Sequence, residues 1–529
     1  MKHLGRSLTT VILTVFLILS GCSNSSTDDA ELNTAPEETI IPEGVFEAGV
    51  SVKALWPDQK DIDNRLINMA AYGILGIRCS SCDPVLKANA TGVHDVPYVR
   101  SFVIKQGNNV FAHAVLDAPV IGNKYTREIE KGVSERTGIP EERVFISATH
   151  THSGPDLFGY MGGISEKYKK KIIDYTIDSV TEAFDAMTPA RLFVSQKDFT
   201  RDLIKVENKG GEYVDFPDKD GRPQKWQYNR RGWPSRELEF TDPEIDDKLT
   251  VLEARDYMTD KSLFVMINLP SHAALVPDNT TEITRDFCGY LVDHAENALG
   301  GTPVIYMQGT MGDVNPAFDM DVVMKTLNSN EDPDDDIDLY EGARVFGEIV
   351  ADQALAAMED QTEIEQNLYI SAGVVQAKID NILMIALINV LNSSIQMDYD
   401  FSLVSGYTFD TRVNYVRLGN QMQIITLPGE PTTHVALGIK AGEHKGKNGK
   451  EIAAFNGIKP AMKAPVKVIC ALTSDTLIYM MPSVERFNSP DSMPGITEQI
   501  PYEEQMGLDS KLADKCRDAA LKLIEADRF

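Results

Sequence analysis

The sequence predicts an α/β fold, with mixed β-sheets surrounded by helices. Apolar runs of strand length alternate with amphipathic runs of helix length through most of the chain. Of the 529 residues, 43% are hydrophobic and 25% are charged, the balance of a globular protein that buries a core. Several apolar runs end in small-residue turns that carry a polar group. In open α/β sheets, ligands sit beyond the carboxyl ends of strands.

In chain order, residues 1–21 read as a targeting segment. Lys2 and Arg6 precede the apolar stretch from Leu8 to Leu19, which is too short and wrongly flanked for a membrane span. Leu19-Ser20-Gly21-Cys22 resembles the lipobox of bacterial lipoproteins. That resemblance implies cleavage before Cys22, lipidation of its thiol, and a lipid-anchored, extracytoplasmic place in a bacterial cell envelope. A plain signal peptide with an incidental cysteine is the other reading. Residues 22–45 are polar and acidic, as in a flexible tether.

Residues 46–529 carry the folded part. Strands are expected at Tyr98–Lys105, Val110–Leu116, Arg143–Ala148, Leu249–Ala254, Leu263–Leu269, Pro303–Met307, Leu368–Val375 and Gln421–Leu427. Helices are expected at Ser165–Ala186, Arg285–Leu299, Tyr340–Met358, Pro431–Ala441 and Ser510–Ala526. In the first of these, Ile172, Ile173, Ile177, Val180 and Phe184 recur at helical spacing and mark a core-facing stripe. No internal repeat, dinucleotide fingerprint or P-loop is present.

The net charge of −28 excludes a nucleic-acid footprint, which is basic. It also opposes electrostatic adhesion to anionic headgroups. The acidic run Glu331–Asp338 is either a solvated loop or a site for a hard cation such as Ca2+. Beyond Cys22 the cysteines are Cys79, Cys82, Cys288, Cys470 and Cys516. Cys79 and Cys82 suit a local disulfide or two ordinary thiols better than a metal site, because no second CxxC exists.

The most informative stretch is Thr149-His150-Thr151-His152-Ser153-Gly154-Pro155. It holds two of the nine histidines, one residue apart, after an apolar run. On an extended strand both face the same side. Three other strand candidates lead to His272, to Gly312-Asp313-Val314-Asn315-Pro316 and to Pro428-Gly429-Glu430. If these tips share one edge, they gather imidazoles, an amide and a carboxylate, which is metal-site chemistry. Three protein ligands plus water is the usual catalytic zinc set. Each member also has a plain reading: a hydrogen-bonded surface pair for the histidines, a satisfied core residue for His272, and a favourable helix start for Glu430.

The ordered motif set resembles the neutral/alkaline non-lysosomal ceramidase family, zinc-dependent amidases that split ceramide. The elements are Thr149–Pro155, Asn229-Arg230 with Asp247–Leu252, His272 with Pro277-Asp278-Asn279 and Asp286-Phe287, Gly312–Pro316, Pro428–Glu430, Tyr479 and Tyr502-Glu503. The resemblance runs from about Phe46 to about Leu508 and implies one ceramidase-like catalytic domain over residues 46–529, with the metal at strand carboxyl ends. It implies one Zn2+ per chain, bound by His150, His272, Glu430 and Tyr479. It further implies that His152, Arg230 and Tyr502 surround the substrate amide and steady its oxyanion. Asn315 stands where the family carries a serine. An amide side chain cannot accept an acyl group as a nucleophile, so water activated on zinc is the expected attacker, oriented by Asn315. His272 also lacks the proline that follows it in the family.

The resemblance therefore predicts an extracytoplasmic zinc amidohydrolase acting on the N-acyl amide of ceramide or a related lipid. Its partners would be that substrate and, through the anchor, a membrane. Two alternatives remain: a zinc hydrolase of a different amide or ester, and a non-catalytic ligand-binding lipoprotein.

Overall fold

The structure is a computed structural model. It describes residues 42–73, 75–80, 82–199, 205–207, 213–215, 246–314, 340–390, 395–402, 406–442, 453–486 and 506–529. Cys22, Arg230, Asn315, Tyr502 and the acidic run 331–338 lie outside the described residues, as do the targeting segment and most of the tether.

A strand with apolar residues on both faces is stable only between two packed layers. Such strands recur here, and they form the largest sheet among the described residues. Its strands are β1 (Phe46–Ala54), β2 (Tyr98–Gln106), β3 (Asn109–Leu116), β4 (Val144–Ala148), β5 (Thr188–Asp198), β6 (Lys248–Asp256), β7 (Ser262–Leu269) and β8 (Val304–Gln308). They run in the order β8-β7-β6-β5-β1-β2-β3-β4, and Thr362–Glu363 adds a short ninth strand beside β5. The sheet is mixed. β7 and β8 pair in parallel, as do β3 and β4, and the remaining pairs are antiparallel.

The second sheet has the order β9 (Leu368–Ile379), β10 (Gly406–Leu418), β11 (Met422–Thr426) and β12 (Val466–Cys470), with Asp400–Ser402 beside β10. Period-2 alternation divides each strand between two cores. Phe102, Phe145, Phe264, Met266 and Ile305 meet Val416, Leu418, Ile424 and Val468 between the sheets. On the other face of the large sheet, Val103, Val144 and Ile146 pack with helices α1 (Asn123–Thr137) and α2 (Glu166–Asp185). Val265, Ile267 and Val304 pack with α3 (Asp286–Ala298) and α4 (Glu341–Ala357). Helix α5 (Ile382–Val390) follows β9, and α6 (Leu512–Ala526) covers the far face of the second sheet.

The α/β class and the mixed sheets are thus as the sequence predicts. All eight expected strands are present, each within a few residues of its expected bounds. Helix α2 has its stripe inward, and the Ser165 hydroxyl caps its first turn by accepting the Tyr168 N–H at 3.1 Å. One helix is corrected. Residues expected as Pro431–Ala441 form only Thr433–Leu437, because Glu430–Pro431 is held as a strand and Gly438, at φ 87°, ends the turn. Helix α1 escaped the sequence reading. Its buried face is Tyr125, Thr126, Ile129, Glu130 and Val133, a stripe diluted by polar residues, and it stops at Gly138, φ 77°. Cys79 and Cys82 form a disulfide, while Cys288, Cys470 and Cys516 are buried free thiols. Among the described residues no helix is long and apolar enough to cross a membrane.

The chain leaving β12 binds both edges of the large sheet. The Ala471 N–H donates to the Gln308 carbonyl on β8 at 3.0 Å, and the Ser474 N–H donates to the Ile146 carbonyl on β4 at 2.7 Å. This bridge brings the carboxyl ends of strands distant in sheet order into one place.

Between the sheets, His113 lies against Phe102 and Phe145 and bonds Ser147 Oγ at 2.7 Å. Burial pushes its imidazole pKa down from the ordinary 6.5 to about 3. A depressed folded-state pKa contributes stability that is present above the unfolded pKa and lost as pH falls toward the folded one. The wild type should therefore lose up to about 1.4 kcal/mol per pH unit relative to His113→Gln as pH falls from about 6.5 toward about 3. Urea melts of both proteins across that range check this. Parallel pH curves would contradict it.

Candidate metal centre

The cluster begins where β4 ends. The strand stops at Ala148, and His150 takes φ 66°, a left-handed conformation that a side-chain-bearing residue adopts only when held there. What holds it is local bonding. The Thr149 N–H donates to Leu116, the His150 N–H to Ala118 and the His152 N–H to Ala273. His150 and His152 are therefore brought together by a turn, which corrects the expectation of two same-face residues on an extended strand. Their rings stand 4.8 Å apart at 88°, with the Nε2 atoms 3.3 Å apart.

His272 comes from the loop after β7. Its ring lies 4.8 Å from that of His150 and 5.4 Å from that of His152, and it is fully buried. Ligand atoms of the three imidazoles all fall within 4.8 Å of one another. Glu430 and Tyr479 enter on two short parallel strands, Glu430–Pro431 and Tyr479–Met480, in which they are register partners. The Tyr479 ring lies over that of His272 at 6.3 Å and 25°. Glu430 Oε2 stands 3.4 Å from Nε2 of both His150 and His272.

The tautomers follow from the other ring nitrogens. His150 Nδ1 lies 2.6 Å from the Pro119 carbonyl, and His272 Nδ1 lies 3.1 Å from the Val314 carbonyl. A carbonyl only accepts, so each Nδ1 carries the proton and each neutral ring turns an Nε2 lone pair toward Glu430. Two lone pairs and a carboxylate oxygen thus face one another, an arrangement that a cation satisfies. Donors ~2.0–2.1 Å from a tetrahedral zinc stand ~3.3–3.4 Å apart, and Glu430 Oε2 stands 3.4 Å from each of the two Nε2 atoms. Imidazoles tied through Nδ1 to a carbonyl are also the usual metal-ligating form. The donor set fits a zinc-like ion.

Of the eight residues singled out for the site, the structure brings together His150, His152, His272, Glu430 and Tyr479. Arg230, Asn315 and Tyr502 lie outside the described residues. Two supports had no sequence signal. Buried Gln308, at the end of β8, donates through Nε2 to the Ser271 carbonyl at 2.6 Å and the Thr149 carbonyl at 3.1 Å. These are the residues immediately before His272 and His150. Buried Arg78 donates to the His152 carbonyl at 2.9 Å and to Ser153 Oγ at 2.8 Å. Its guanidinium lies 4.9 Å over the Tyr72 ring, which in turn meets the His152 ring edge-on at 4.9 Å.

His150, His152, Glu430 and Tyr479 line a pocket together with Val120, Phe158, Met384, Ile388 and Ile395. Such a pocket accepts an apolar chain while its polar groups meet a functional group.

Because Gln308 ties two histidine loops, Gln308→Leu should loosen both. The expected outcome is a loss of about 1–3 kcal/mol of stability, from buried carbonyls deprived of a donor, together with ~10–100-fold weaker divalent-metal binding. Denaturant melts and competition with a chelator measure the two effects. Unchanged metal affinity would remove Gln308 from the support of the cluster.

Comparison with known proteins now adds to the geometry. The model of the neutral/alkaline non-lysosomal ceramidase N-terminal region matches residues 85–319. Among solved structures, the crystal structure of neutral ceramidase from Pseudomonas aeruginosa is similar, with a TM-score of 0.61 and 16% identity over 92% of this chain and 75% of that chain. A ceramidase complexed with C2 is similar with a TM-score of 0.60 and 17% identity, over 92% of this chain and 76% of that one. No curated protein matches the chain. Residues 85–319 are thus similar in sequence to the N-terminal region of the neutral/alkaline non-lysosomal ceramidases, and the chain shares the fold of the two solved ceramidases.

Proposed function

We propose that this protein is a zinc-dependent amidohydrolase that cleaves the N-acyl amide of ceramide or a related lipid. The observation that carries the reading is the Glu430 carboxylate facing the His150 and His272 lone pairs beside the apolar walls of a pocket. His150, His272, Glu430 and Tyr479 would hold the ion. When bound, zinc supplies Lewis-acid polarisation of a carbonyl and lowers the pKa of water toward ~7.

The remaining chemistry falls to the protein. The apolar walls take an acyl chain and exclude bulk water, which strengthens every polar contact beside them. His152, its backbone fixed by Arg78 and its ring braced by Tyr72, lines the same pocket and is assigned to the substrate amide. Arg230 and Tyr502 are assigned to the negative charge that develops on the carbonyl oxygen. Asn315 is assigned to orienting water or substrate, since its amide both donates and accepts but does not take an acyl group. Attachment through a lipidated Cys22 on the outer side of a bacterial membrane belongs to the same proposal.

Asn315 also favours a second reading, in which the same fold and ion hydrolyse a different amide or ester. Purified protein should contain about one zinc per chain, which His150→Ala loses. Ceramide turnover should follow the metal, falling by at least about a hundredfold in His150→Ala. A zinc-free wild type would overturn the proposal. Zinc-dependent turnover of other amides or esters, with ceramide untouched, would select the second reading.

A further inference from the structure

We propose that the exposed face of α5, continued by Phe401, docks on an uncharged lipid surface. Helix α5 reads Ile-Leu-Met-Ile-Ala-Leu-Ile-Asn-Val and has two working sides. Met384 and Ile388 are buried and wall the pocket that holds His150 and Glu430. At about 100° per residue, Ile382, Ala386, Asn389 and Val390 cluster on the opposite side within an arc of about 100°. Ile382 and Val390 are each 71% exposed. The patch extends through Tyr407, whose hydroxyl donates to Asn389 Oδ1 at 3.1 Å and whose ring lies 4.8 Å from that of Phe401. Phe401 is itself 59% exposed. Leu75, two residues beyond the pocket-lining Gly73, is a further large apolar side chain in the open.

Charge selects the occupant. From Ile382 to Val390 helix α5 carries no Asp, Glu, Lys or Arg, in a chain whose net charge is −28, and the exposed Asp398 and Asp400 enter only beside Phe401. An anionic surface is repelled by such a protein, and a cationic partner is drawn to its acidic surface rather than to this stretch. An uncharged apolar face on a strongly anionic body complements a zwitterionic bilayer, which it enters by burying side chains rather than by ion pairing. A large exposed apolar patch of this kind calls for a partner. The inference uses the lipid-amidase reading only for its purpose, the delivery of an apolar substrate to the pocket that α5 walls. Its test needs no turnover, so the two readings can fail separately.

The probe is the full chain carrying Phe401→Trp, mixed with vesicles of brominated phosphatidylcholine. This reports depth at the patch whether or not the protein has another anchor. Tryptophan emission should be quenched, with little dependence on salt and less quenching by phosphatidylglycerol vesicles of the same bromine content. Adding Ile382→Glu and Val390→Glu should weaken the quenching about tenfold or more. Val374→Glu should leave it unchanged. Val374 is 70% exposed but lies in a groove shared with Lys515, Asp518 and Lys522. Circular dichroism and melting of each variant confirm folding. Absent quenching, or quenching that survives the double substitution in folded protein, would overturn the proposal. So would a dimer in light scattering that the double substitution abolishes without any vesicle effect.

Discussion

Nε2 of His150, Nε2 of His272 and Oε2 of Glu430 are held at 3.3–3.4 Å spacing from a neighbouring acceptor, buried together with Nε2 of His152. Each imidazole spends its N–H on a backbone carbonyl, so the lone pairs that face the carboxylate have no proton to offer it. The fold holds these groups against their mutual repulsion through long-range ties. Gln308 spans the two histidine loops, Arg78 binds the carbonyl of His152, and parallel pairing of two short strands sets Glu430 beside Tyr479. Such an arrangement gains stability from a cation and is poised for one.

The four proposed ligands are 329 residues apart from first to last, from His150 to Tyr479. They converge only after both edges of the large sheet have been drawn to the chain that leaves β12. The site is therefore a product of the completed fold, and metal affinity should report on global packing as well as on the ligands. The same convergence leaves a pocket with apolar walls beside these polar groups, where low dielectric strengthens electrostatic interactions. Helix α5 supplies part of that pocket and carries its apolar character outward.

Much of this was legible in the sequence because the signals were local. Apolar runs on two-sided strands stand out, and β2, β3, β4, β7 and β8 lie close to where their residues place them. Motif order singles out His150, His272, Glu430 and Tyr479, and the structure places these four near one another. What the sequence hid is long-range or conformational. The left-handed turn at His150 depends on backbone acceptors from residues 116–118. Glu430 looked like the start of a helix because its strand partner, Tyr479, lies 49 residues away. Gln308 and Arg78 are ordinary polar residues in sequence, and only burial against the histidine loops reveals their work. Helix α1 escaped because its inward face includes Thr126 and Glu130.

The most direct measurement is anomalous diffraction at the zinc edge from crystals of the zinc-loaded protein. The account predicts a single strong peak enclosed by Nε2 of His150, Nε2 of His272 and the carboxylate of Glu430, each ~2.0–2.2 Å away, with Tyr479 completing the protein ligands. A map with no peak among these groups, or with zinc held elsewhere on the chain, would contradict it.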